Sequence, residues 1–334
     1  MNRNFMILFS GYFTRHLNYN EGSALADYKT LHDDFYHGLF EAPRSLPAKY
    51  FYDEAGSILF DKICDLPEYY PTRTEERLLE DISIDLISKT RPNRIIELGS
   101  GAARKTIHLL DACEKLNLFA EYVPVDVCQE MIEISIEHLS KRYGWLKIQP
   151  VVQDYTQGDI KIKDIAESNL YVFLGGTIGN FSHEESLSFL KNLKNTMGLS
   201  DRLLIGVDRV KTPRLLHEAY NDSRGLTAEF NLNVLKVLNK SLDATFSLSN
   251  FQHYAYYNPL KNQIEMHLIS MVDQTVKFEK LSESISFLQG DSILTEISRK
   301  FTRRSIESLL ELAGYNIMAH YDFSDPKFSL VLAD

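Results

Sequence analysis

The stretch Ile95-Ile-Glu-Leu-Gly99-Ser-Gly101-Ala-Ala-Arg-Lys105-Thr106 decides how this 334-residue chain is read. An aliphatic run ends in glycines and passes into a helical segment. That is the strand–turn–helix order at which open α/β sheets bind ligands. Gly99 and Gly101 let a ligand approach the backbone closely, although a plain tight turn also accounts for a lone G-x-G. A dinucleotide fingerprint needs a third glycine where Arg104 stands. A phosphate-cradling loop, G-x-x-x-x-G-K-[ST], fits from Gly99 to Thr106 except, again, at Arg104, where its backbone must wrap the phosphates.

Outward from that stretch the chain alternates. Residues 1–45 read as mostly helical, and Thr72-Arg-Thr-Glu75 has the capping-box pattern of a helix start. Downstream come a helix over 103–116, a strand over 122–125, a helix over 129–143, a strand over 147–152 and an apolar run over 170–174. Ser182-His-Glu-Glu185 caps another helix, whose Leu187, Leu190 and Met197 recur at helical spacing, before a strand over 202–207. Strands alternating with helices predict right-handed βαβ units and a parallel sheet. Near Lys211 the pattern changes. Residues 213–241 read as helix, 250–298 as several strands, and 303–313 as a last helix stopped by Gly314. Two runs, 316–321 and 328–332, then read as an antiparallel hairpin on the sheet edge. The expected organisation is an α/β layer, 72–209 plus 299–334, with an added α+β domain built from 1–71 and 210–298.

Composition excludes several classes. With 44% hydrophobic and 25% charged residues, the chain is an ordinary globular one rather than disordered or low-complexity. Its formal charge of −10 argues against tracking a nucleic-acid backbone. Cys64, Cys113 and Cys128 are odd in number and lack C-x-x-C spacing, which suits a reducing cytoplasm and neither a disulfide framework nor a thiolate zinc site. The histidines show no metal-ligand spacing, so no metal is expected. The apolar run from Phe5 to Phe13 is short for a signal peptide, and no run approaches a membrane span.

A third reading of the glycine loop is the E/D-x-G-x-G of class I S-adenosylmethionine (SAM) folds, which Glu97-Leu-Gly-Ser-Gly101 satisfies. Asp126 follows the second strand, where a carboxylate can accept both ribose hydroxyls. Asp154 and Tyr155 follow the third and suit an adenine amino group and ring face. Each acid alone reads equally as a solvated strand end; three strand ends in order are harder to assemble by coincidence.

Longer strings then carry a resemblance: Ser45-Leu-Pro-Ala-Lys-Tyr-Phe-Tyr52-Asp-Glu-Ala-Gly-Ser57, Leu66-Pro-Glu-Tyr69-Tyr-Pro-Thr-Arg-Thr-Glu75, Phe173-Leu-Gly175-Gly-Thr-Ile-Gly-Asn180 and Leu294-Thr-Glu296-Ile-Ser298. From about residue 34 to 334 the chain resembles the SAM-dependent histidine Nα-methyltransferases of ergothioneine biosynthesis. The resemblance implies a class I, Rossmann-like methyltransferase fold, SAM as cofactor, and a monomer. It implies trimethylation of L-histidine, through its mono- and dimethyl forms, to the betaine hercynine. It places Tyr69, Gly99, Ser100, Gly101, Lys105, Asp126, Asp154 and Tyr155 at the cofactor, with Lys105 at the methionine carboxylate. Asn180 and Tyr220 fall at the substrate carboxylate, and Tyr52 and the Gly175 carbonyl near the amine as the catalytic positions. Glu296 and Ser298 fall at the imidazole, and Thr227, Phe230 and Met266 in the pocket wall. Where relatives continue the loop with small polar residues, this chain has Gly101-Ala-Ala-Arg. The 33 residues before Asp34 match poorly, and the first dozen read as an upstream-start extension.

The side chains suit that chemistry. A neutral imidazole offers one N–H and one lone pair, for which a carboxylate and a hydroxyl are complementary partners. A period of two puts Glu296 and Ser298 on one strand face. An indole has a donor but no second ring acceptor, so the pair fits histidine better than tryptophan. The nucleophile must be a neutral amine, yet no strong base is evident. Tyr52 and an ordered water therefore orient it, with proton loss to solvent. Rival readings are another aromatic amino acid as acceptor, a SAM-binding partner subunit without turnover, and, more distantly, a P-loop NTPase. Any one aromatic or Met here also reads as core packing, and Lys105 as an exposed helix lysine.

Overall fold

The computed structural model describes residues 32–334, apart from 157, 159, 161 and 163–166. Of the helical reading of 1–45, residues 1–31 lie outside the described residues. The described chain opens with α1 (residues 32–40), a 3-10 turn Ala48–Phe51, α2 (Glu54–Cys64) and α3 (Tyr70–Thr90). Helix α3 starts two residues before the capping-box pattern, with Pro71 in its first turn and no side-chain cap. Proline is pre-shaped for that position. Thr72 and Glu75 are therefore helix-interior residues, and Glu75 is free for another task.

The alternation that follows forms β1 (Arg94–Leu98), α4 (Thr106–Leu116), β2 (Glu121–Asp126), α5 (Gln129–Arg142), β3 (Val151–Val152), β4 (Asn169–Phe173), α6 (His183–Thr196) and β5 (Arg202–Asp208). These strands are parallel, and every residue of β1 is buried, as expected with helices on both faces. The third strand is shorter than the run 147–152 suggests. Only an isolated bridge joins Tyr122 to Ile148 before β3, because Pro150 has no N–H for the ladder. Ser182 and Glu185 do form a capping box on α6.

Past β5 lie α7 (Pro213–Tyr220) and α8 (Leu226–Leu242), two helices where the sequence suggests one. Asp222 breaks the run. Its carboxylate accepts N–H bonds from Thr227 (2.7 Å) and from Leu226 and Arg224 (3.0 Å each), while Gly225 takes φ +72°. A side chain that satisfies the first N–H groups of a helix starts a new one. Next come β6 (Phe251–Asn258), β7 (Gln263–Ser270), β8 (Gln274–Phe278), β9 (Glu283–Phe287) and β10 (Ser292–Arg299). β10, β7 and β6 form an antiparallel sheet, and β8 and β9 a ribbon. The chain returns through α9 (Arg303–Leu312) to the hairpin β11 (Ile317–Ser324) and β12 (Lys327–Ala333). The large sheet runs β11-β12-β5-β4-β1-β2-β3, with β12 antiparallel to β5. This is a Rossmann-like mixed sheet of the class I methyltransferase type.

Apolar packing follows this division. One core gathers side chains from Phe35 to Tyr70 and from Leu216 to Ile293. Two others cover the faces of the large sheet and draw on residues 78–207 and 301–333. Among the described residues no helix is long and apolar enough to cross a membrane. The joint between the 3-10 turn and α2 is tight: a Cβ on Gly56 would lie 1.6 Å from the Phe51 carbonyl oxygen. Gly56→Ala should therefore lower stability by about 3 kcal/mol, as overpacked sites do, in a urea titration. An unchanged midpoint would contradict this packing.

Candidate active site

The chain leaves β1 toward β2 and β3 on one side and returns through β4 and β5 on the other. At such a switch point the loops part and leave a crevice at the strand ends. Here it is a cavity of about 580 Å³, and every site residue named from the sequence borders it.

The half beneath β1 and β2 is built on the glycine loop. Gly99 and Gly101 take φ +70° and +48°, and no atom lies within 4 Å of where a Gly101 side chain would start. Asp126 accepts from the Gly101 N–H (2.8 Å) and the Cys128 N–H (3.0 Å), which fixes its carboxylate under the loop. Burial raises its pKa above the usual carboxylate value. Glu97 accepts from the Thr106 and Tyr122 hydroxyls; burial pushes it up to about 7, against the pull of those bonds. The Ser100 hydroxyl is buried with no partner among the described residues. Tyr155 closes over the loop, with its hydroxyl 3.1 Å from where a Gly99 Cβ would be. An open glycine turn, a fixed carboxylate, an orphaned hydroxyl and an aromatic wall fit SAM. Arg104, which excludes the two phosphate-loop readings, pairs instead with Asp61 of α2 and with Asp65, the residue that ends it.

Two sequence-derived contacts are already engaged within the protein. Asp154 accepts from the Thr156 N–H (2.9 Å) and from Lys49 (3.3 Å). Lys105 is no exposed helix lysine: it is ion-paired with the fully buried Glu75. Glu75 is one site residue that sequence reasoning missed, having assigned it to a helix cap; Asp208 and Lys300, which border the cavity, are others. Its carboxylate accepts the Gly175 N–H at 2.8 and 3.0 Å. Gly206, in the middle of β5, makes room for it, since a Cβ there would sit 1.9 Å from Glu75 Oε1. The one carboxylate thus joins the turn after β4 to the start of α4.

The other half faces the added sheet. Asp53 caps α2 by accepting the Gly56 N–H (2.8 Å) and is held by Asn233 (2.7 Å), while Ser57 donates to the Tyr52 carbonyl (3.3 Å). The string around Tyr52 is thus a brace for that residue. The Tyr52 ring meets Phe60 and Phe230 edge-on, with centroids 5.5 and 5.6 Å apart. Burial pushes its phenol well above the ordinary value, so it can donate a hydrogen bond but is no base. Thr227 and Phe230 share a face of α8, and Asn180 closes the 3-10 turn Thr177–Asn180 after β4. Tyr69 lies beside Tyr220, ring centroids 6.2 Å apart.

On β10 a bulge between Leu294 and Glu296 interrupts the ladder, so Glu296 pairs across from Met266. Bulges re-aim side chains in this way. No described group hydrogen-bonds the Glu296 carboxylate; burial pushes it up to about 7, with Lys300 opposing. Ser298, two residues on, sits in a dense cluster. Tyr220 donates to its hydroxyl (2.7 Å), and Lys300 donates to Ser298 (2.8 Å) and Tyr220 (3.0 Å). Lys300 also pairs with Asp208 (3.0 Å), which holds Lys211 and accepts from Tyr70 (2.6 Å).

Comparison with known proteins adds to this geometry. The profile of the family described as "Histidine-specific methyltransferase, SAM-dependent" matches residues 31–334. The chain is 38% identical to the histidine N-alpha-methyltransferase of Mycobacterium tuberculosis, over 92% of this chain and 96% of that one. It is also 38% identical to the enzyme of the same name from Mycolicibacterium smegmatis, over 95% and 98%. It is 30% identical to "Ergothioneine biosynthesis protein 1" of Neurospora crassa, over 72% of this chain and 30% of that longer protein.

The two buried glutamates should respond oppositely to removal of their charge. Glu75→Gln strands the Lys105 ammonium and should cost about 3–5 kcal/mol, as broken buried pairs do. The folded state holds the Glu296 proton more tightly than the unfolded chain between about pH 4.5 and 7, so ligand-free stability falls as pH rises through that window. Glu296→Gln removes that residue's share of the fall, leaving the share of Glu97, and should raise stability at pH 8 by up to about 3 kcal/mol. Urea titrations at pH 5 and pH 8 check both; equal destabilisation at the two sites would contradict the assignment.

Proposed function

The chain belongs to the family of histidine-specific, SAM-dependent methyltransferases, and we propose that it trimethylates the α-amino group of L-histidine to hercynine, the first step of ergothioneine biosynthesis. The observation that carries the acceptor's identity is the unpaired, buried Glu296 carboxylate beside the Ser298 hydroxyl. A largely buried acceptor with no partner among the described residues is costly, and a ring N–H supplies what it lacks.

SAM, bound against the Gly99–Gly101 turn, supplies an electrophilic methyl group. Tyr69, Ser100, Lys105, Asp126, Asp154 and Tyr155 hold it in this reading, and Glu75 keeps Lys105 in place. Asn180 and Tyr220 hold the histidine carboxylate, and Glu296 and Ser298 the ring, with Thr227, Phe230 and Met266 as the wall. That leaves the amine between the Tyr52 hydroxyl and the Gly175 carbonyl. Tyr52 stays a neutral phenol and orients the lone pair, while solvent takes the proton. Positioning then supplies most of the acceleration. As methyl groups accumulate, the cation grows inside an aromatic box of Tyr52, Phe60, Tyr69 and Phe230, each face contributing about 0.5–2 kcal/mol.

In the same reading, 72–209 plus 299–334 is the SAM domain and 1–71 plus 210–298 the substrate domain. The protein acts as a cytoplasmic monomer on a small molecule, with no nucleic-acid, membrane or metal partner. Purified protein given SAM and L-histidine should yield three successive methyl increments by mass spectrometry. No increment, with S-adenosylhomocysteine shown to bind, would overturn the proposal. Glu296→Ala should raise KM for histidine about 10–100-fold and leave KM for SAM within about threefold; equal changes in both would make Glu296 a structural residue.

A further inference from the structure

Tyr220 is the last residue of α7, where a helix runs out of N–H groups for its carbonyls. Its carbonyl is met instead by the His253 ring of β6, with Nε2 at 2.9 Å. A carbonyl only accepts, so Nε2 carries a proton. On the other side of the ring, Nδ1 lies 2.9 Å from Asn231 Nδ2 of α8. Asn231 is fully buried, and two further bonds fix which way its amide points. Nδ2 donates to the His267 carbonyl of β7 (3.0 Å), and Oδ1 accepts from the Thr295 hydroxyl of β10 (2.6 Å). Turned round, the amide would set oxygen against oxygen at His267. Asn231 therefore donates to Nδ1, and His253 is a neutral imidazole with its one proton on Nε2. Burial lowers its pKa and favours that form, against the pull of the Tyr220 carbonyl and of Asp222.

The relay thus runs one way, from Thr295 through Asn231 and His253 to the Tyr220 backbone, and it crosses β10, α8, β6 and α7. A second bond lies beside it: Asn221 Nδ2 donates to the Ala255 carbonyl of β6 (3.1 Å) as well as to the His217 carbonyl (2.9 Å). The end of α7 is fastened to β6 at two points, and the buried Tyr220 side chain projects from there to the cavity. His253 itself is not among the residues that border the cavity, so it acts only through what it holds. The Tyr220 hydroxyl ends a long, rigid side chain. A small tilt of the helix end carries it out of hydrogen-bond reach, and misplacements of this size are costly in a site that depends on positioning.

We propose that His253 is a positioning residue: held neutral and oriented by Asn231, it anchors the Tyr220 carbonyl and so sets the hydroxyl that meets the substrate carboxylate. This rests on the reading above in which Tyr220 holds the carboxylate of histidine.

The test is a double-variant cycle on KM for L-histidine, with the full chain and with S-adenosylhomocysteine binding as the check on folding. His253→Leu and Tyr220→Phe should each raise that KM about tenfold, as loss of a hydrogen bond to a charged group does, and leave KM for SAM within about threefold. The double variant should lie within about threefold of Tyr220→Phe, because the second change has no hydroxyl left to misplace. His253→Gln, which offers an N–H to the carbonyl and an oxygen to Asn231, should restore most of the loss. If the two effects multiply to about a hundredfold, His253 supports the fold at large and the proposal fails. It fails equally if His253→Leu leaves KM for histidine unchanged, or raises KM for SAM by the same factor. If His253→Leu does not bind S-adenosylhomocysteine, His253→Asn takes its place in the cycle, since it keeps an acceptor for Asn231 and is too short to reach Tyr220. Wild type that binds S-adenosylhomocysteine but does not methylate histidine overturns the histidine reading and this inference together. Methylation with multiplying effects overturns this inference alone, and an unchanged KM in Tyr220→Phe overturns the carboxylate contact on which it rests.

Discussion

At the C-terminal end of β5 the Asp208 carboxylate lies out of water between two ammonium groups, Lys211 and Lys300, and also accepts from the Tyr70 hydroxyl. Each partner belongs to a different part of the chain. Tyr70 opens α3, Lys211 starts the excursion away from the large sheet, and Lys300 ends it, one residue past β10. Removing Asp208 would leave two buried ammonium groups without their counter-charge, which is far costlier than the intact cluster is stabilising. The small sheet is thereby anchored to the end of the large one. The seam between them is the cavity, with the glycine loop on one wall and Glu296 on the other.

The site on that seam is built from two kinds of buried carboxylate. Glu75 and Asp208 are satisfied by the protein and serve as braces, Glu75 for the Gly175 turn and Lys105 and Asp208 for Lys300. Glu296 is also largely buried and has no hydrogen-bond partner among the described residues. The first kind stabilises the empty protein. The second destabilises it and is relieved only by a ligand that brings a proton donor. A stable scaffold carrying one deliberately unsatisfied group is the usual arrangement for a selective polar pocket.

Much of this was legible in the sequence because it is local. The strand–glycine–helix run at 95–106, the Ser182 cap and the closing hairpin each read from adjacent residues and appear as expected. Many candidate residues lie in contiguous strings, others such as Tyr220, Thr227, Phe230 and Met266 were named only through the family resemblance, and all of them border one cavity. What stayed hidden depends on contacts between distant positions. Glu75 imitates a capping-box residue, and only the packing of α3 against the turn after β4 shows its carboxylate at Gly175. Asp208 and Lys300 are 92 residues apart, and neither has a local pattern to mark it. The break between α7 and α8 was present in the string Asn221-Asp-Ser-Arg-Gly225. Apolar periodicity on both sides outweighed it, although an aspartate three residues ahead of a glycine is a turn signal.

The central claim is that the pocket opposite the cofactor loop is complementary to a ring carrying both a donor and an acceptor. Calorimetric titration of L-histidine and of L-tryptophan into protein saturated with S-adenosylhomocysteine tests it most directly. The account predicts one saturable histidine site and tryptophan binding weaker by at least about a hundredfold, the discrimination available to a site with paired buried polar groups. Tryptophan binding as tightly as histidine would contradict it.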